Sequence, residues 1–247
     1  MYELGEEHLQ RLTSKDNAQA RAFYEQAVAL EPQFASAHAE LGAAYLWELV
    51  FVSTSSSERN VALALESARR AVELDPRDWT GHCILAYALL FSHDAANGLA
   101  SAQRAVDLNP SAPVAWNVLG YAKLSAGDPA GSIAANEQAI RLDPQGSWVA
   151  TDHETLSEAH WELGQFEAGL EHARTYVTMR PEIYWAYVDM AMNAVGLGRL
   201  DDARAAIAEA RRVQPDLSLA MIRQNTGFSR PEFNARREAA LREAGLE

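Results

Sequence analysis

Residues 108–144 begin at Leu108-Asn109-Pro110 and close at Leu142-Asp143-Pro144. Between the two prolines lie Trp116, Leu119, Gly120 and Lys123, the turn Ala126-Gly127-Asp128-Pro129, and then Ser132, Asn136 and Ala139. Apolar or small residues three and four apart on either side of a glycine-containing turn read as two amphipathic helices. Gly127 suits the left-handed residue that stops the first helix. Asp128 followed by Pro129 suits an N-cap with proline in the first helical position. Pro144 stands where the second helix has ended and cannot continue.

The closing phrase recurs along the chain as Leu30-Glu31-Pro32, Leu74-Asp75-Pro76, Leu108-Asn109-Pro110, Leu142-Asp143-Pro144, Met179-Arg180-Pro181 and Val213-Gln214-Pro215. The steps between these prolines are 44, 34, 34, 37 and 34, a period of 34 with insertions of ten and three. Other units repeat the plan: Leu41-Gly42 with Tyr45, then Ala64, Ala68 and Ala71; Leu85-Ala86 with Leu89, then Gly98, Ala102 and Ala105. Leu156-Ser157 leads to His160, Gly164, Gly169 and Ala173, and Met190-Ala191 leads to Gly198, Ala203, Ile207 and Ala210. The unit before Pro32 carries Ala20, Tyr24 and Ala27, with Gly5 and His8 displaced by about three residues.

This pattern resembles the tetratricopeptide repeat, whose 34 residues carry Trp, Leu-Gly, Tyr, Ala, an aromatic, Ala and Pro at fixed offsets. Lys123 departs from it by standing where an aromatic is usual. The resemblance implies an all-α, right-handed superhelical solenoid of helix-turn-helix repeats, with six helix pairs ending near the six prolines. After Pro215 a short apolar helix is expected over Leu217 to Ile222, and Ser229-Arg230-Pro231-Glu232 reads as a capping box for a last helix. That helix pairs Glu232 with Arg236 and Glu238 with Arg242 at helical spacing, and carries Phe233, Leu241 and Ala244 on one side. Residues 216–247 are therefore expected to be a half repeat and a cap sealing the stack. The expected organisation is one domain over residues 1–247.

A second resemblance rests on His8-Leu9, Lys15-Asp16-Asn17-Ala18, the Trp47 to Glu58 insertion and the ending Leu241-Arg242-Glu243-Ala244-Gly245-Leu246. These are similar to bacterial repeat regions that follow class III nucleotide cyclase domains. It implies a regulatory or partner-binding portion of such a protein. Repeats and cap take up all 247 residues, which leaves no length for the cyclase domain itself.

Composition narrows the function classes. With 21 Lys+Arg against 34 Asp+Glu the formal charge is −13, which argues against nucleic acid, whose binders neutralise phosphates. The 48% hydrophobic and 22% charged residues are those of an ordinary globular protein. A single cysteine, Cys83, excludes an internal disulfide and a structural thiolate zinc site. No secretory signal is read at Met1 to Glu7 and no apolar run is long enough for a membrane span, so the expected location is the reducing cytoplasm.

Chemistry-bearing residues are few. His153, Glu154, Glu158 and His160 form the best candidate cluster for a helical enzyme or a metal site. At 100° per residue, however, His153 and His160 face the second helix of their unit while Glu154 and Glu158 point the opposite way. His38, His82, His93 and His172 are scattered over other units. Asp201-Asp202 fall at a helix N-terminus, where they favour its positive dipole end. No glycine-rich phosphate loop, Gly-x-Ser-x-Gly or His-Glu-x-x-His occurs, so the chain is read as noncatalytic and without cofactor or metal.

The expected site is the concave surface lined by the first helices. The face opposite the packed one carries Trp47, then Tyr87 and Phe91, then Asn117 and Tyr121, then Glu154, Glu158 and Glu162, then Trp185 and Met192. The aromatics and Met192 are expected to anchor an apolar helix, peptide or loop, while the three glutamates select its basic end. Some tetratricopeptide proteins hold a C-terminal carboxylate on this face. Here the lining has Asn117 but no lysine or arginine, so that use is not expected. Trp47 to Ser57 joins an apolar run to a serine tract. It reads either as an extended first helix or as a contact for a partner, including a second copy of the chain.

Overall fold

A computed structural model describes residues 1–9, 14–51, 57–224 and 230–247, and among these every regular element is helical. It divides into two compact units, Met1–Pro110 and Ser111–Glu247. Unit 1 holds α1 (Tyr2–Leu9), α2 (Ser14–Leu30), α3 (Ala35–Phe51), α4 (Ser57–Leu74), α5 (Trp79–Phe91) and α6 (Ala95–Leu108). Unit 2 holds α7 (Pro113–Ser125), α8 (Pro129–Leu142), α9 (Val149–Glu162), α10 (Phe166–Met179), α11 (Tyr184–Gly196), α12 (Leu200–Val213), α13 (Leu219–Gln224) and α14 (Pro231–Glu243). Within each unit the paired helices pack on each other, and successive first helices also touch: α3 on α5, α7 on α9, α9 on α11. Among the described residues no helix is long and apolar enough to cross a membrane.

Local chemistry sets the boundaries. Asp128 accepts from the Gly131 N–H at 2.8 Å and Pro129 opens α8, as the turn sequence requires. Gly127, Gly164 and Gly198 stop α7, α9 and α11 with φ of 87°, 74° and 71°. The same turn in unit 1 is made by His93 at φ 65°, a left-handed conformation without glycine.

The partners within a repeat come close because small residues meet. A Cβ on Gly120 would lie 2.1 Å from Asn136 Nδ2 within one repeat, and between repeats one on Gly169 of α10 would lie 2.1 Å from Asn193 Oδ1 of α11. Ala64, Ala68 and Ala71 on α4, and Ala203 and Ala210 on α12, are fully buried along the seams. Larger side chains fill what remains, with Leu124, Leu156 and Leu241 buried in unit 2. Burying a leucine contributes about 1.5–3 kcal/mol.

Six residues beyond a repeat's proline, a ring closes on its carbonyl. His38 Nε2 lies 3.2 Å from the Pro32 oxygen, His82 Nε2 lies 3.1 Å from that of Pro76, and the Tyr187 hydroxyl donates to that of Pro181 at 3.1 Å.

The insertion and the end of the chain take the following form. α3 continues through Trp47 to Phe51, so the apolar part of the insertion is helix. Val52, the serine tract up to residue 56 and Ser229 of the expected capping box lie outside the described residues, and Ser57 opens α4. α14 starts after Arg230, which makes no side-chain cap bond. The short helix before it runs Leu219–Gln224, two residues later than expected. α14 makes its main contacts with α11 and α13. There Phe233 and Leu241 are buried in the core of unit 2, and Arg237 and the preceding Arg230 meet Glu158 and Glu162 of α9.

Candidate binding surface

In unit 1, Trp47, Tyr87 and Phe91 are all half-buried. Tyr87 and Phe91 pack with Tyr45, Leu65 and Ile84 around the buried Leu46, Ala64 and Ala88, so they share one apolar cluster between α3, α4 and α5. Cys83, one turn before Tyr87, is buried in the helix and burial pushes its thiol far up. That leaves a side chain inert as a nucleophile.

In unit 2 the lining splits. Asn117 is completely buried, and its Nδ2 donates to Asp152 Oδ1 at 2.7 Å and to Thr151 Oγ1 at 3.2 Å. The one asparagine placed to hold a carboxylate thus holds a carboxylate of the next first helix. Met192 is 1% exposed and belongs to the core, while Tyr121 and Trp185 are half-buried against it. Asp152 escapes the sequence reading. The repeat itself carries the signal, since residue i of one first helix faces residue i+34 or i+35 of the next.

The glutamates form the centre of the site. Glu154, Glu158 and Glu162 follow one face of α9, and Asp189 of α11 joins them. Burial raises the carboxyls of Glu158 and Asp189. It pushes Glu154 up to about 7 against a bond from the Tyr176 hydroxyl and the more distant Arg180. Such a cluster favours a cation beside it.

The cations come from α14 and the residue before it. Arg230 grips Glu162 with two N–H groups, one at 2.7 Å, and donates to the Leu124 carbonyl at 3.1 Å. Arg237 is 2% exposed and lies 3.9 Å from Glu158, and burial lowers its pKa. Its guanidinium stands 5.9 Å from the Trp185 ring and 5.6 Å from that of Phe233. Phe233 meets Trp161 edge-on at 5.5 Å, and Arg236 covers the same indole at 4.8 Å. Of the expected lining, Glu158, Glu162 and Trp185 meet α14 and its leading residue, together with Trp161, which the sequence does not place there. Sequence reasoning places Phe233, Arg236 and Arg242 in the last helix but has no signal for where that helix docks.

The histidines lie on the other side of α9. His153 Nδ1 and His172 Nδ1 are 2.9 Å apart, His160 stacks on His172 at 5.3 Å, and His160 Nδ1 meets Gln165 Oε1 at 2.7 Å. His153 and His160 face the second helix, α10, as their spacing requires, and His172 is what they meet there. Burial and the two neighbouring rings lower His172 to about 4. Among the described residues no three His, Cys, Asp or Glu side chains are arranged to hold a metal ion.

Residues 83–147 match the tetratricopeptide-repeat family. The chain has the tetratricopeptide-repeat fold. It superposes on a chain of the APC/C hetero-tetramer Cut9-Hcn1 with a TM-score of 0.69 at 14% identity, covering 92% of this chain and 40% of that one. It is also similar to PilW, a widely conserved type IV pilus biogenesis factor, with a TM-score of 0.64, 16% identity, and 85% and 88% of the two chains covered. A thermophilic tetratricopeptide-repeat protein of Thermus thermophilus gives 0.57 at 19% identity over 75% and 92%. No curated protein matches the chain in sequence. At these identities the likeness concerns the fold, and the chain spans 40% of the Cut9-Hcn1 chain.

Proposed function

We propose that this chain is a noncatalytic protein-interaction scaffold. It takes a peptide, helix or loop of combined apolar and basic character on the faces of its first helices. The observation that supports this reading is the seating of α14: Glu158 and Glu162 receive Arg237 and Arg230, and Trp161 and Trp185 receive Phe233, Arg236 and Arg237. A surface that accepts such a helix from its own chain has the chemistry to accept one from another protein. Trp47, Tyr87, Phe91, Tyr121 and Trp185 supply the apolar side of that chemistry, with Asn117 and Met192 beneath it. Location in the cytoplasm and attachment to a nucleotide-cyclase-like protein belong to the same reading, as does cooperative folding of residues 1–247 as one domain.

The test uses an amphipathic helical peptide bearing arginines and a phenylalanine, and a counterpart with glutamate at each arginine. Anisotropy titration of the whole chain is expected to show binding of the first, weakening with salt and with Glu154, Glu158 and Glu162 changed to glutamine, and weakening again with Tyr87→Ala and Tyr121→Ala. Equal binding of both peptides sinks the reading.

A further inference from the structure

The inner face of unit 2 carries more carboxyl groups than α14 and its leading residue supply guanidiniums. Four acids meet there, Glu154, Glu158, Glu162 and Asp189, and the cations that reach them from α14 and its leading residue are Arg230 and Arg237. Glu162 is fully engaged by the Arg230 fork. Glu158 sees Arg237 at 3.9 Å, outside hydrogen-bond distance. Asp189 is 1% exposed and keeps its Oδ2 without a hydrogen-bond partner. Buried acceptors are rarely left so, and here the surface has capacity that its occupant does not use.

The attachment of α14 is of two kinds. Its C-terminal end is fixed by burial of Leu241, Ala244 and Leu246, and by the Leu219 N–H donating to the Glu247 carbonyl at 3.0 Å. Its first two turns are held largely by charge and ring contacts through Arg230, Phe233, Arg236 and Arg237. Spacings of three and seven put Arg230, Phe233 and Arg237 on one helix face. Arg230 and Glu162 retain 28% and 12% side-chain exposure, so this ion pair borders solvent.

We propose that the inner face of α9 and α11 is a receptor for helices of the pattern Arg-x-x-Phe-x-x-x-Arg. The first two turns of α14 are its resident occupant, and a partner helix of that pattern binds by taking their place. This rests on the scaffold reading above and adds to it the partner's chemistry and a built-in competitor. Tethering gives the resident a high effective concentration, so an external helix binds weakly until the resident is loosened.

The experiment uses the full chain and, as probe, a fluorescent peptide with the sequence of residues 230–244. In the R230E chain a carboxylate faces Glu162, and faster amide exchange over residues 231–239 reports the loosened helix. The peptide is expected to bind R230E at least tenfold more tightly than the parent chain, and addition of E162Q to R230E removes that gain. Equal affinity for the parent and for an R230E chain whose α14 exchanges freely overturns the competition while leaving the scaffold reading in place. Absence of binding to either chain removes the inner face of unit 2 as a ligand surface, and the scaffold reading falls there with it. Should R230E lose its helical circular dichroism, R230Q replaces it in the same comparison.

Discussion

Asp152→Asn is expected to stabilise the protein, and only above a defined pH. Asp152 is 2% exposed, and its carboxyl, ordinarily titrating at 3.8, is pushed up to about 7 by burial, with the Asn117 bond pulling the other way. Below pH 3.8 the group is protonated in both folded and unfolded chains and costs nothing. As pH rises towards 7 the unfolded chain ionises first, and stability is lost across that window. At about 1.36 kcal/mol per pH unit, ionised Asp152 costs roughly 4 kcal/mol at pH 8. Asparagine keeps the acceptor for Asn117 Nδ2, so most of that loss, about 2–4 kcal/mol, is recovered. For a chain of this size the gain is roughly 5–15 °C in Tm. Thermal melts of parent and variant are compared at about pH 4 and about pH 8. The two should nearly coincide in acid and separate at the higher pH. A separation independent of pH, or a variant less stable than the parent in alkali, would refute the assignment of a buried, costly carboxylate.

His172 carries the opposite slope: its ring, ordinarily titrating at 6.5, is lowered to about 4, so it supplies stability above 6.5 that is lost as pH falls towards 4. Its imidazole resonances are expected to stay at neutral-ring positions down to about pH 5, and a midpoint near 6.5 would show that the three rings do not stack in solution. His93→Gly relieves a left-handed backbone at φ 65° and is expected to stabilise by about 0.5–1 kcal/mol, read as a rise in Tm, with no rise counting against that conformation. Cys83, 1% exposed, is expected to resist iodoacetamide in the native chain and to react fully in guanidinium; rapid native alkylation would mean that α5 opens.

The repeat is legible because its determinants are local. Gly127, Asp128 and Pro129 are consecutive, and the period of 34 multiplies the signal. Turn glycines mark the helix ends, but His93 makes the same turn without being one, closed by the Asp94 N–H donating to the Leu89 carbonyl at 2.8 Å. The acidic face is legible for the same reason, since Glu154, Glu158 and Glu162 stand four apart on one helix. Its occupant is not. The Arg230 to Glu162 pair spans 68 residues and depends on where α14 docks, which no helical periodicity encodes. Asn117 reads as open lining because one helix's register does not show what the next helix brings. Thr151 and Asp152, a period away, close over it.

The ring that reaches back to the proline carbonyl is an imidazole in two repeats and a phenol in a third, at 3.2, 3.1 and 3.1 Å. That carbonyl asks for a proton donor at a fixed height above the helix start and is indifferent to what carries it. A duplicated repeat can therefore drift at this position between quite different side chains while inheriting the same joint. Divergence in sequence then accumulates without divergence in shape. In such a lineage ancestry fades from the letters long before it fades from the spacing.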